Sequence, residues 1–121
     1  MSKPVGPYSP WRRAGDWIIL SGQVGTLPGH DTPTLVDGDA PAQLRQALAN
    51  AKGLLAEAGA TFDDVVKSLL LLANMDDFGA CNEVWMETFS EPRPTRSAFA
   101  VAKLPLGALV EAELWAYKPL S

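Results

Sequence analysis

The sequence predicts an α+β fold, one domain over residues 1–121, in which two helices cover one face of a single mixed β-sheet in the order β-β-α-β-α-β-β. Three observations carry this prediction. Residues 44–58 repeat apolar side chains at helical spacing, residues 65–72 form a nearly unbroken apolar run, and residues 109–117 alternate apolar and polar at the strand period.

Taken in order, Gly6-Pro7-Tyr8-Ser9-Pro10 reads as an extended, turn-rich entry, because a residue preceding proline avoids helical backbone. Ala14-Gly15-Asp16 is a turn signal that makes a short hairpin into the second strand, Trp17 to Val24, which ends on the small pair Ser21-Gly22. Gly25 to Gly38 carries Gly, Pro, Asp and Thr at most positions and reads as a surface loop. Asp39 is placed to cap a helix with Pro41 in its first turn, where a missing N–H costs nothing. Leu44, Ala47, Leu48, Ala51, Leu54, Leu55 and Ala58 form its buried face, and Gly59 closes it. The apolar run Val65–Leu72 shows no alternation toward its end, which predicts cover on both faces. Asp76 and Asp77 suit the start of a second helix whose inner face is Phe78, Cys81, Trp85 and Phe89, and Pro92 and Pro94 end it. Two strands follow, Ser97–Ala102 and Leu109–Tyr117, joined through Leu104-Pro105-Leu106-Gly107. Gln43 and Asn82 are expected to satisfy backbone groups at element ends.

Composition narrows the function. No strictly apolar run exceeds five residues, far below the roughly 20 needed to cross a bilayer, so no membrane association is expected. Met1–Pro7 lacks the apolar stretch of a signal peptide, and the expected location is the cytoplasm. Ten Lys and Arg against 14 Asp and Glu give a net charge of −4 without a basic run, a poor match for nucleic acid. With one cysteine, Cys81, and one histidine, His30, neither an intrachain disulfide nor a Cys/His metal site is expected. Cys81 reads as a small buried hydrophobe and His30 as a solvated loop residue. Yet hydrophobic residues make up 47% of this short chain, including four tryptophans, so either the core is unusually rich or a face is kept for a partner subunit.

The last strand turns pattern into chemistry. Alternation puts Val110, Ala112, Leu114 and Ala116 on one face and Glu111, Glu113, Trp115 and Tyr117 on the other. Aromatics facing only water are odd, and carboxylates in plain core are costly. A subunit interface holding a polar cleft accommodates both.

Several segments now align with a known pattern: Gly6-Pro7-Tyr8-Ser9, Ser21-Gly22-Gln23, Gln43 with Asn50, Asp76-Asp77-Phe78 with Asn82, Pro94-Thr95-Arg96-Ser97, Leu104-Pro105 and Val110-Glu111-Ala112-Glu113. This ordered set resembles the Rid family, the YjgF-type reactive intermediate deaminases, over essentially the whole chain. The resemblance implies a chorismate-mutase-like fold and a homotrimer whose sheets form a central barrel, with clefts between subunits. It also implies hydrolysis of 2-imino acids and enamines, such as 2-aminoacrylate and 2-iminopropionate, to a 2-keto acid and ammonia. No cofactor and no metal are implied.

The residues suit that chemistry. The planar fork of Arg96 can bind a substrate carboxylate through two parallel hydrogen bonds. Glu111 matches the family's acid/base position, where a carboxylate activates water and returns the proton to the leaving nitrogen. Tyr8 is expected to line the cleft as a further catalytic or substrate-binding group. Ser21 and Gly22 are expected at the substrate, because Gly22 has no side chain and lets a ligand approach the backbone. Without the motif, Arg96 reads as a surface ion-pair residue, Tyr8 as a packing residue, and Glu111 with Glu113 as the solvated face of an edge strand. The resemblance gives Glu113 no catalytic role, and it is expected as an interface residue.

The chain also departs from the family pattern. Ala98 follows Arg96-Ser97 where many members carry Cys, Trp85 stands where tyrosine is common, and Arg93 adds a second cation near the motif. Two rival functions are a non-catalytic, small-carboxylate-binding or regulatory trimer using the same clefts, and a ribonuclease. The net charge argues against the second.

Overall fold

In the computed structural model, which describes residues 4–120, the elements follow the order read from the sequence. They are β1 (Trp11–Ala14), β2 (Trp17–Leu20), α1 (Ala40–Glu57), β3 (Val65–Leu72), α2 (Phe78–Thr88), β4 (Thr95–Ala100) and β5 (Val110–Tyr117). Met1–Lys3, part of the segment read as lacking a signal-peptide core, lie outside the described residues.

The strands form one five-stranded sheet in the order β1-β2-β5-β3-β4. Only β3 and β4 are parallel, joined by α2, because parallel neighbours need a crossover connection. The sheet is therefore mixed, and the last strand in sequence lies at its centre, between β2 and β3. Both helices pack on one face. Ile18, Leu70, Leu72, Val110, Ala112, Leu114 and Ala116 meet Leu44, Leu48, Leu54, Leu55, Cys81 and Val84 in a common core.

α1 begins as its sequence dictates. The Asp39 carboxylate accepts the Ala42 N–H at 3.1 Å, Pro41 stands in the first turn, and Gly59 follows the helix with φ +84°. α2 starts differently. The capping side chain is Asn74, which accepts the Asp76 N–H at 2.9 Å, and Met75–Asp77 form a 3₁₀ turn that leads into the helix. Asp77 makes no side-chain cap bond.

Three expectations change. β2 stops at Leu20; the chain kinks at Ser21-Gly22 and rejoins the sheet where Gln23 and Ala112 exchange backbone hydrogen bonds of 2.7 and 2.9 Å. β4 begins two residues early, at Thr95, because side chains fasten it to β3. Ser68 Oγ donates to the Thr95 carbonyl at 2.7 Å, and Thr95 Oγ1 donates to the Val66 carbonyl at 3.0 Å. β3 is covered on one face only within the chain. Ser68, Leu70 and Leu72 are buried under the helices, while Leu69 and Leu71 stay half-exposed on the open face, where only Leu71 gains partial cover, from Val24, Leu104 and Ala108. Both helices lie on the first face, and among the described residues no further helix covers the second.

The Gly25–Gly38 loop is partly folded. It doubles back with hydrogen bonds from Leu27 N–H to Thr34 and from Val36 N–H to Gly25, and Asn50 Nδ2 donates to the Thr26 carbonyl at 2.8 Å. A Cβ at Gly25 would stand 2.5 Å from the Gln43 carbonyl oxygen, so only glycine lets the loop lie this close to α1.

Candidate active site

Arg96 is the second residue of β4, opposite Ser68 of β3. Ser68 faces the core, so pleat parity sends Arg96 to the helix side, over α2. There its Nη2 donates to Asn82 Oδ1 at 2.8 Å. Its guanidinium carbon lies 5.1 Å from the Trp85 ring centroid and 5.3 Å from that of Phe78. Both distances fall within the range of cation–π attraction. Burial lowers the Arg96 pKa from its ordinary value, with Cys81 opposing that shift. No carboxylate pairs with Arg96 among the described residues. A cavity of about 430 Å³ opens beside it, lined by Asn82, Trp85, Met86, Arg93, Pro94 and Arg96.

Arg93 contributes to that cavity but is otherwise engaged. Its Nε donates to the Phe89 carbonyl at 3.0 Å, and its Nη1 sits 3.5 Å from Glu91. Cys81 is fully buried behind the cluster. Burial, then the nearby Asp77 and Asp39, push its thiol pKa up to about 11 against the pull of Arg96, so it stays protonated at neutral pH.

Glu111 lies on the other side of the sheet. It pairs with Leu71 across β5 and β3, on the open face with Glu113 and Trp115. Burial first, and repulsion from Glu113 second, raise its pKa above the usual carboxylate value. Glu113 accepts the indole N–H of Trp115 at 3.0 Å, and Lys67 lies over that indole at 4.7 Å. Trp17 packs edge-on against Trp115 and Tyr117, extending an aromatic group along the same face.

Gly22 meets Glu111 directly. A side chain at position 22 would overlap the Glu111 carboxylate, with its Cβ 2.8 Å from Cδ. The missing side chain thus makes room for Glu111, at the position where the sequence predicts room for a ligand. Ser21, expected at the substrate, has its hydroxyl engaged within the chain. Its hydroxyl donates to the Ser9 carbonyl at 2.7 Å and ties down the entry segment. That tether holds Tyr8, which is 43% exposed, beside Gly22 and Gln23 around a small recess.

Tyr8, Ser21, Gly22 and Glu111 therefore gather at one place, and Arg96 does not join them within one chain. The expected backbone role of Gln43 holds, since its Oε1 accepts the Leu109 N–H at 2.8 Å just before β5. Asn82 does something else: it orients Arg96. The spacing of Phe78, Asn82 and Trp85 at i, i+4 and i+7 on α2 is the signal that could have found this cluster.

Compared with known proteins, residues 1–118 match the family model described as Endoribonuclease L-PSP. The chain is 41% identical over 116 residues to a RutC family protein of Pyrococcus abyssi, covering 96% of this chain and 90% of that protein. It is 42% identical over 109 residues to the mouse protein named 2-iminobutanoate/2-iminopropanoate deaminase, covering 90% of this chain and 79% of that one. Among solved structures it superposes on RidA from the Antarctic bacterium Psychrobacter sp. PAMC 21119 with a TM-score of 0.89. The identity there is 39%, over 95% of this chain and 91% of that chain. The fold and the matched sequence define a small α+β protein of the RidA type. The chain belongs to the endoribonuclease L-PSP (YjgF/Rid) family.

Proposed function

We propose that this protein hydrolyses 2-imino acids and their enamine tautomers to 2-keto acids and ammonia, in clefts between the subunits of a homotrimer. One observation carries the reading. Arg96 is a half-buried cation, oriented by Asn82 and two rings, that no carboxylate neutralises among the described residues. Such a group is built for an incoming anion. The mouse relative's name supports the imine class, and the net charge of −4 speaks against RNA as the substrate despite the family's description.

In this mechanism Arg96 holds the substrate carboxylate by two N–H donors and so fixes the C=N plane. With the imine nitrogen protonated, Glu111 takes a proton from a water as its oxygen attacks the C=N carbon, which gives a neutral carbinolamine. Glu111 then returns that proton to the amino nitrogen and takes the hydroxyl proton as the C–N bond breaks, so that the 2-keto acid forms and ammonia leaves. Burial and Glu113 raise the Glu111 pKa, a shift in the direction that suits a group which must both accept and donate a proton. In this reading Tyr8 hydrogen-bonds the water or the substrate.

Because Arg96 and Glu111 occupy opposite faces of one sheet, the working site pairs Arg96 of one protomer with Glu111 of the next. The open face favours such an arrangement: Leu69, Leu71, Phe99, Trp17 and Tyr117 leave apolar surface uncovered around the carboxylates. The test generates 2-iminopropionate from L-alanine with an amino-acid oxidase and traps surviving imine with semicarbazide. Wild type should deplete the trapped product and Arg96→Ala should not. Trimers assembled from mixed Arg96→Ala and Glu111→Gln chains should regain part of the activity, since some clefts then carry both native groups. Binding of 2-keto acids without faster imine decay would replace this reading with a carboxylate-binding module.

A further inference from the structure

We propose that Phe78 and Trp85 are positioning residues that hold the Arg96 guanidinium by their ring faces, in the place an acidic partner would usually take, so that its charge stays available to the substrate carboxylate. This rests on the reading of Arg96 as the carboxylate-binding group. A half-buried arginine is most often held by Asp or Glu, which fixes its orientation but also cancels its charge and occupies its paired donors. Here the fixing is done by neutral groups. Asn82 takes one Nη2 hydrogen at 2.8 Å, and the two rings lie 5.1 and 5.3 Å from the guanidinium carbon. A guanidinium has five N–H donors, so most remain for a ligand.

All three groups come from α2, where their i, i+4, i+7 spacing places them on one stripe facing the edge strand β4. The stripe is rigid at its far end. Trp85 is buried and packs on Phe89 at 4.8 Å, which in turn packs on Phe62 at 5.1 Å. Phe78 is only partly buried and leads the helix. The ring faces, rather than the bulk of these side chains, are what the proposal requires.

The experiment uses the full chain and four substitutions: Trp85→Phe, Trp85→Leu, Phe78→Tyr and Phe78→Leu. KM and kcat for 2-iminopropionate are measured alongside the Arg96 Nε–H resonance, identified by its loss in Arg96→Lys. The leucine variants should raise KM about tenfold with kcat changed less than about threefold, the size of one lost cation–π contact. They should also turn a slowly exchanging Nε–H into a fast one. The aromatic variants should stay within about threefold of wild type in KM, because any ring preserves the contact. Leucine variants with native KM and native exchange would overturn the proposal. If Trp85→Leu fails to fold, Phe78→Leu decides, since Phe78 lies at the helix start and contributes less to the core. If wild type leaves the imine untouched, the deaminase reading fails, and the Nε–H exchange still decides whether the rings position Arg96.

Discussion

The carboxylate of Glu111 occupies the space that a side chain at Gly22 would fill. This couples the kink after β2 to the centre of β5 and fixes where the proposed acid/base stands. Gly22→Ala should displace the Glu111 carboxylate, because the obstructing atoms are the end of a flexible side chain. The expected outcome is a loss of imine hydrolysis of about tenfold or more with nearly native thermal stability, since an Å-scale displacement is enough to impair catalysis. Gly25→Ala should do the reverse. Its Cβ meets the Gln43 backbone oxygen at 2.5 Å, which cannot swing away. A loss of about 1–3 kcal/mol in denaturant unfolding is expected there.

Glu111→Gln should lower imine hydrolysis by about 10²-fold or more, the usual contribution of a positioned acid/base. Its effect on stability has the opposite sign. Burial raises the folded pKa of Glu111, so the ionised form is disfavoured in the native state. The native protein thus gains stability from this group as the pH falls through that raised value, and loses it as the pH rises. Thermal melts should show Glu111→Gln more stable than wild type at neutral pH. The difference should vanish below about pH 4, where the carboxyl is protonated in both folded and unfolded chains.

Glu113 lies on the same face and contributes the second cause of the Glu111 shift. Glu113→Gln removes a like charge and should lower the Glu111 pKa. The acid limb of the pH–rate profile should then move to lower pH, because Glu111 keeps its basic form further into acid. An unmoved limb would assign that limb to another group.

Gln43, itself only 6% exposed, supplies the acceptor for the Leu109 N–H, and Gln43→Leu leaves that half-buried donor unpaired. The expected cost is about 1–3 kcal/mol, read as a lower denaturant midpoint at unchanged slope. Gln43→Glu keeps an acceptor oxygen and should lose less.

Arg96→Lys tests geometry rather than charge. Lysine supplies one ammonium in place of a planar fork and makes poor use of the Phe78 and Trp85 faces. kcat/KM should fall by about 10²-fold or more, close to the effect of Arg96→Ala, as expected when a buried charge pair loses its geometry.

Much of this protein was legible in its sequence because the signals are local. Helical spacing alone identifies the buried face of α1, and its cap residues fix both ends. Strand parity alone separates Val110, Ala112, Leu114 and Ala116 from Glu111, Glu113, Trp115 and Tyr117, and burial follows that division. The motif around Arg96 and the motif around Glu111 were equally visible as separate strings.

Their relationship was not. Which face Arg96 takes depends on its register with Ser68, and a slip of one residue would send it to the other side of the sheet. That register is set by the Ser68–Thr95 and Thr95–Val66 hydrogen bonds between strands, over separations of 27 and 29 residues. The neighbours of Glu111 depend on the insertion of β5 between β2 and β3, which brings Gly22 against a residue near the far end of the chain. Periodicity in the sequence determined what each element shows to its two sides. Only the tertiary structure decided which sides meet, because strand order and register come from contacts between distant segments.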